Sequence, residues 1–117
     1  MEFRTHQCHG KAISEACGDE VLIASPQDAL DLMVGSGARR LVVHAPQLHP
    51  DFFDLSTRLA GEVLQKFTNY QVQLGIVGDF SVYPSRSLRD FIRESNRGTQ
   101  VVFTARFEEA LERLSRD

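Results

Sequence analysis

The stretch RLVVHAPQLHPDFFDLSTRLAGEVLQKFTNYQVQLGIVG, residues 40–78, decides the fold of this chain. It opens with a nearly continuous apolar run, Arg40 to Ala45, which fits an interior β-strand covered on both faces. Apolar residues then recur at helical spacing from Asp51 to Asn69. A second strand-sized apolar run follows from Val72 to Gly78. The stretch therefore predicts a β–α–β unit with two parallel strands.

The flanking sequence extends this alternation in both directions. Two short alternating segments around His9-Gly10 predict an N-terminal hairpin, and Val21 to Ala24 predicts a third strand. The remaining pattern predicts helices from Ser25 to near Gly35 or Gly37, from Ser85 to Arg97 and from Phe107 to Leu114, and a strand from Gln100 to Thr104. We therefore predict one α/β domain over residues 1–117. Its hairpin covers residues 1–19, and its βαβαβαβα core covers residues 20–117 with a mostly parallel mixed sheet.

Length and composition are those of an ordinary folded domain. The chain has 117 residues, of which 42% are hydrophobic and 25% charged. Sixteen acidic and thirteen basic residues give a net charge of -3, which repels phosphate backbones and argues against a nucleic-acid partner. No run approaches the roughly twenty apolar residues of a membrane span. Cys8 and Cys17 are the only cysteines, and no apolar leader follows Met1, so we expect free thiols and a cytoplasmic location.

Several stretches carry a resemblance to a known family. They are PDFFDL (50–55), LAGEVLQKF (59–67), GIVGDF (75–80), SLRDFI (87–92) and ESN (94–96). With these stretches the chain resembles, nearly end to end, an uncharacterised bacterial family, domain of unknown function 4180. This resemblance implies no activity, substrate or cofactor.

The predicted element order also resembles that of STAS domains, the fold of bacterial anti-sigma factor antagonists and of the cytoplasmic tails of sulfate transporters. In the antagonists a phosphorylatable Ser or Thr follows the second core strand, and Ser56-Thr57 stands in a comparable place. The resemblance implies a phospho-switch there, although Asp54 to Arg58 lacks the Asp-Ser-Ser-Gly type of motif. If the helix includes Phe52, Ser56 packs inward and Thr57 is the accessible acceptor. If the helix starts at Asp54, Ser56 is exposed in its first turn.

A ligand site is expected at the carboxyl ends of the parallel strands, in the loops after Ala45, Gly78 and Thr104. One of these loops leads from a strand-end carboxylate into a helix start with hydroxyl and guanidinium groups. Such a helix start offers free amides to an anion. The candidate anion pocket comprises Asp79, Ser85, Arg86, Ser87 and Arg89. The alternative is that Ser85 or Ser87 only caps the helix, with Asp90 completing a capping box.

The same helix carries a basic stripe made of Arg86, Arg89, Arg93 and Arg97. The stripe could dock an acidic partner, or Asp90 and Glu94 could neutralise it within the helix. The predicted partner-binding or phosphoacceptor residues are Asp54, Ser56, Thr57 and Arg93.

Catalytic and metal-binding patterns are weak in this chain. Asp51, Asp54 and Asp79 could converge on Mg²⁺, but loop aspartates also cap helices, and Asp54 is placed to cap one through the Thr57 amide. The four histidines and two cysteines lack metal-ligand spacing, and His44 is expected as a hydrogen-bonded core residue. We find no nucleophile elbow and no phosphate loop. The prediction is therefore no catalytic residue, no metal and no cofactor.

Taken together, the residues favour a non-enzymatic regulatory or partner-binding module. One alternative is a protein or enzyme that takes a small anionic ligand beside Asp79 and the helix start at Ser85. Another is the phospho-switch at Ser56 or Thr57. An exposed edge of the N-terminal hairpin would also favour a homodimer.

Overall fold

A five-stranded mixed sheet with helices on both faces forms the fold. The computed structural model of the chain describes residues 1–116. The strands are β1 (Glu2–Cys8), β2 (Lys11–Cys17), β3 (Arg40–His44), β4 (Gln73–Val77) and β5 (Val101–Thr104). The helices are α1 (Pro26–Ser36), α2 (Leu59–Asn69), α3 (Arg86–Ser95) and α4 (Phe107–Ser115). The predicted α/β class, with a mostly parallel sheet and an antiparallel N-terminal hairpin, is confirmed.

The strands lie in the sheet in the same order as in the chain, from β1 to β5. β1 and β2 pair antiparallel, and every later neighbour pairs parallel. The hairpin turns at His9 and Gly10, whose φ angles of 51° and 77° are both positive, as in a type I′ turn. This turn suits the right-handed twist of the two strands that it joins.

The segment Val21 to Ala24 is not a strand of the sheet, so that prediction is wrong. Only Ile23 forms a bridge, to Leu48 in the loop after β3. The carbonyl of Gln47 accepts hydrogen bonds from the amides of Leu22 and Ile23 at 2.7 and 3.1 Å. The segment is apolar because Ile23 is fully buried beneath this loop. The βαβαβαβα alternation holds when it is counted from β2.

The long helix predicted from Asp51 to Asn69 begins only at Leu59. The preceding residues form two 3₁₀ turns, Pro50–Phe53 and Leu55–Thr57. Arg58 then adopts the left-handed conformation with φ 67°, which interrupts any continuous helix. The apolar spacing continued through this region because Phe52 and Phe53, although outside the helix, are also buried.

The helices divide between the two faces of the sheet. Crossovers between neighbouring parallel strands share one handedness, so α1, α2 and α3 all pack on one face. After β5 the chain no longer crosses to another strand, and α4 packs on the opposite face with Ala110 and Leu114 against Val42 and Val102. Over residues 1–116, none of the helices has the length and apolar character needed to cross a membrane.

Candidate functional site

The carboxyl ends of β3 and β4 open into a cavity of about 640 Å³. We call it the strand-end cavity. Its wall is mainly apolar, and its polar groups come from His44, Asp79 and Tyr83. This volume lies within the range of about 300–1,000 Å³ that is common for small-molecule sites. The location is the one that a parallel sheet predicts.

Aromatic contacts hold the loops after β3 and β4 together around this cavity. The ring of Phe53 stacks on that of Tyr83 with centroids 4.7 Å apart, and it also lies against the ring of Phe80 with centroids 6.1 Å apart. The strand ends also approach each other closely. A Cβ added at Gly78 would lie only 2.6 Å from the Cβ of Ala45. The two strand ends therefore meet at one edge of the sheet.

Asp79 is the carboxylate of the strand-end cavity. It follows β4 directly and caps the 3₁₀ turn Phe80–Val82. Its Oδ1 accepts hydrogen bonds from the hydroxyl and the amide of Ser81, which lower the pKa of Asp79 because they favour its ionised form. Among residues 1–116, Oδ2 has no hydrogen-bond partner. At neutral pH Asp79 therefore offers the cavity a negative charge and an oxygen that can accept a hydrogen bond.

Tyr83 supplies a second polar group in the same wall. Partial burial raises the pKa of its phenol, because the phenolate would lose solvation. The hydroxyl thus remains neutral at physiological pH and can both donate and accept a hydrogen bond.

A pair of histidines held by one carboxylate adjoins the strand-end cavity. His44 lines both this cavity and a neighbouring recess of about 320 Å³. Its Nε2 lies 2.7 Å from one oxygen of Glu15, and Nε2 of His6 lies 2.9 Å from the other. Partial burial raises the pKa of Glu15, but the hydrogen bonds and charges of His44 and His6 together outweigh it and leave the pKa lowered. Glu15 is therefore an anion that orients both imidazole rings.

Sequence reasoning missed this arrangement because its three members lie on three strands. The two-residue turn at His9-Gly10 fixes the hairpin register, which places Arg4 opposite Glu15 and His6 opposite Ile13. That register was available from the sequence and puts His6 and Glu15 on the same face. The prediction of a hydrogen-bonded His44 is confirmed, although a third of its side chain is exposed rather than buried.

The residues of the expected anion pocket do not all reach the strand-end cavity. Asp79 lines it, whereas Arg86, Ser87 and Arg89 are exposed on α3 and are not part of its wall. The hydroxyl of Ser85 accepts a hydrogen bond from the amide of Leu88 at 3.1 Å. Ser85 is therefore the helix cap, as the alternative interpretation of this serine predicted.

The basic stripe of α3 is half neutralised. Two exposed ion pairs form within the helix: Arg93 with Asp90 at 3.6 Å and Arg97 with Glu94 at 3.4 Å. Arg86 and Arg89 have no carboxylate within 4 Å in the described part of the chain. The positive charge that remains for a partner is thus concentrated in the first turn of α3.

Ser56 and Thr57 are both exposed in the 3₁₀ turn before α2. The helix starts at neither of the two positions considered, and Ser56 does not pack inward. The side chain of Asp54 accepts hydrogen bonds from the amide and the hydroxyl of Ser56, at 3.1 and 2.6 Å. The expected cap through the Thr57 amide is wrong, because that amide donates to the carbonyl of Asp54. The Thr57 hydroxyl lies 2.6 Å from the carbonyl oxygen of Asp51.

One potential metal-ligand group is present among residues 1–116, and it is not the set of aspartates that the sequence analysis considered and set against helix capping. Asp51, Asp54 and Asp79 are not close enough together to share an ion. Instead Cys8, His9 and Glu112 bring one ligand atom each to within 4.8 Å of one another. No spacing pattern in the sequence predicts this group, because Cys8 and His9 are separated from Glu112 by nearly the whole chain.

The fold and the site together define a class of protein: a small α/β domain whose parallel strands end at a cavity with a carboxylate, an imidazole and a phenol. Within this class the chain belongs to the family described as "Domain of unknown function (DUF4180)", whose sequence model matches residues 8–114. No curated protein and no solved structure matches the chain significantly. The likeness to STAS domains is therefore not confirmed by any relative.

Proposed function

We propose that the protein is a binding module that holds a small, mostly apolar molecule with a cationic or hydrogen-bond-donating group in the strand-end cavity. One observation carries this proposal. A carboxylate with an available oxygen, Asp79, stands in the wall of an otherwise largely apolar cavity of about 640 Å³. Sites of this composition bind by apolar contact and orient their ligands with a few polar groups.

The negative charge of Asp79 favours a ligand with a cationic or hydrogen-bond-donating group over an anionic ligand. Asp79 remains ionised, and the arginines expected to neutralise an anion lie outside the cavity wall. An anionic ligand would therefore meet a like charge, whereas an ammonium or hydroxyl group could bond to Oδ2. His44, whose ring is oriented by Glu15, offers a further polar contact at the end of β3.

Thermal unfolding with three probes of similar size tests this proposal. The probes are benzylamine, which is cationic, benzyl alcohol, which is a neutral donor, and benzoate, which is anionic. We expect the melting temperature to rise most with benzylamine and least with benzoate, because ligand binding to the native state stabilises it. Asp79→Asn should remove the preference for the amine while keeping the shape of the cavity.

Asp31→Asn is the matched control, because Asp31 is exposed on α1 and takes no part in the cavity wall. This variant should retain the wild-type order of the three probes. Equal shifts with benzylamine and benzoate would refute the proposal, as would the same loss in both variants. Ligand-observed NMR with the same probes separates direct binding from a general effect of the additive.

A second candidate function is the regulatory, partner-binding role in the cytoplasm. It is favoured by Arg86 and Arg89, which lack partners on α3 and lie exposed for an acidic protein surface. Affinity purification from the native host should recover a partner with the wild type and lose it with Arg86→Glu/Arg89→Glu. The control Arg93→Glu/Arg97→Glu reverses charges that are already paired and should retain the partner. Recovery of no partner by the wild type would count against this role.

The phospho-switch and the homodimer remain predictions. Intact mass from native cells would reveal a phosphate on Ser56 or Thr57, which is lost in the double alanine variant. Both hydroxyls lie against the carboxylate or carbonyl groups of Asp51 and Asp54, so a phosphate there would be repelled and would open this turn.

A homodimer would use the free edge of β1, and sedimentation at several concentrations measures it.

A further inference from the structure

Three potential metal ligands meet at the hairpin turn, at the opposite end of the strands from the strand-end cavity. Cys8 ends β1, His9 begins the hairpin turn, and Glu112 lies in the last turns of α4. Their ligand atoms all lie within 4.8 Å of one another. Nε2 of His9 and Oε2 of Glu112 are already 2.9 Å apart. Two remote parts of the chain thus present a thiol, an imidazole and a carboxylate to one point.

The backbone and a buried neighbour support this arrangement. The positive φ of His9, 51°, belongs to the tight turn that places His9 beside α4. Ser115, which is only 3% exposed, has its hydroxyl 3.3 Å from the sulfur of Cys8. The same hydroxyl lies 3.1 Å from the carbonyl oxygen of Glu112, and its single proton can be donated either to that oxygen or to a Cys8 thiolate. Such a neighbour, beyond the ligands themselves, orients the sulfur and favours its metal-binding form.

We propose that Cys8, His9 and Glu112 form a Zn²⁺ site with three protein ligands and an open fourth position. A thiolate combined with an imidazole and a carboxylate suits Zn²⁺, whereas Mg²⁺ and Ca²⁺ take oxygen ligands. Bond lengths of about 2.0–2.3 Å place the ligand atoms of such a site roughly 3–4 Å apart. His9 and Glu112 are exposed, so rotation of their side chains can close the remaining distance.

Binding exchanges protons for metal. The Cys8 thiol releases its proton to solvent, and the proton that His9 and Glu112 share in their hydrogen bond is also displaced when both bind the metal. The ion would then join the hairpin turn to α4. This role is independent of the strand-end cavity, which lies at the opposite end of the strands.

Cobalt(II) substitution in the full-length, chelator-treated protein tests the site. One bound equivalent of Co²⁺ should produce a thiolate-to-metal charge-transfer band. Zn²⁺ should abolish this band, because it displaces the Co²⁺ ion. Cys8→Ser should lose the band. Glu112→Gln and His9→Asn should each weaken Co²⁺ binding by at least about tenfold. Asn is chosen because it tolerates the left-handed conformation at this turn.

Cys17→Ser is the matched control, because Cys17 ends the other strand of the same hairpin and lies outside the cluster. It should retain the Co²⁺ charge-transfer band and its loss on addition of Zn²⁺. The proposal is overturned if the wild type shows no thiolate band. It is also overturned if the band survives in Cys8→Ser or disappears in Cys17→Ser. Circular dichroism of each variant confirms that it is folded before the titration.

Discussion

Gly78→Ala should destabilise the protein at the point where β3 and β4 end. A Cβ at Gly78 would lie 2.6 Å from the Cβ of Ala45, about 1 Å short of the 3.5–4.0 Å at which two carbons normally rest. The amide of Gly78 donates to the carbonyl of Thr104 at 3.0 Å, so the backbone cannot move away without loss of a sheet hydrogen bond. Overpacking of this kind typically costs about 1–3 kcal/mol.

For a chain of this length, that loss corresponds to a fall of about 4–12 °C in the melting temperature. Far-UV circular dichroism during urea and thermal unfolding measures it, since the chain has no tryptophan to report by fluorescence. Gly61→Ala is the matched control. Gly61 lies in α2, and a Cβ added there would meet no neighbouring atom within 4 Å, so alanine should stabilise the helix by about 0.5–1 kcal/mol.

A double variant separates the steric contact from any other effect. Ala45→Gly removes the methyl group that the new Cβ would strike, so Ala45→Gly/Gly78→Ala should recover part of the lost stability. We expect a coupling free energy of at least about 1 kcal/mol between the two changes. A Gly78→Ala protein as stable as the wild type would refute the reasoning. Strictly additive effects of the two substitutions would also refute it.

Three further changes probe other parts of the molecule. Gln47→Leu should cost about 2–4 kcal/mol in urea unfolding, because this buried side-chain amide accepts from the His44 amide and donates to the carbonyls of Ala16 in β2 and Gly18 just after it. Ser85→Ala should lose about 1 kcal/mol of cap stabilisation in the same assay, whereas Ser87→Ala should change stability little. Glu15→Gln should be less stable than the wild type by about 1 kcal/mol at pH 7. Since the folded pKa of Glu15 is lowered, this difference should shrink as the pH falls below its ordinary value of 4.5.

The sequence was sufficient to predict the fold because its apolar patterns report burial directly. Continuous runs such as Leu41 to Val43 identified interior strands, and Ser25 with Pro26 identified the start of α1. The same patterns led to wrong predictions at Ile23 and Phe52. Both residues are fully buried, but Ile23 lies in a loop rather than a strand, and Phe52 lies in a 3₁₀ turn rather than an α-helix. Apolar periodicity measures contact with the core and does not by itself distinguish the backbone that makes the contact.

The candidate sites were harder to predict because they depend on register and on packing between distant segments. The strand ends and Asp79 followed from the parallel sheet alone. The histidines bound to Glu15 required the hairpin register, and the contact of Glu112 with His9 required knowledge of which face α4 covers. The hydroxyl of a serine such as Ser85 can bind a ligand or cap a helix, and the sequence is compatible with both roles. The hydrogen bond that it accepts from the Leu88 amide identifies it as the cap.

The sequential order of the strands has a consequence for folding during synthesis. As the nascent chain emerges, each new strand can add to a neighbour that is already in place, and its crossover helix then covers the same face. The opposite face is different, because its covering helix, α4, is synthesised only after all five strands. Val42 and Val102 therefore remain exposed to water until α4 has emerged from the ribosome and packed on them. A chain truncated before α4 would carry an uncovered apolar sheet and become a substrate for chaperones or for aggregation.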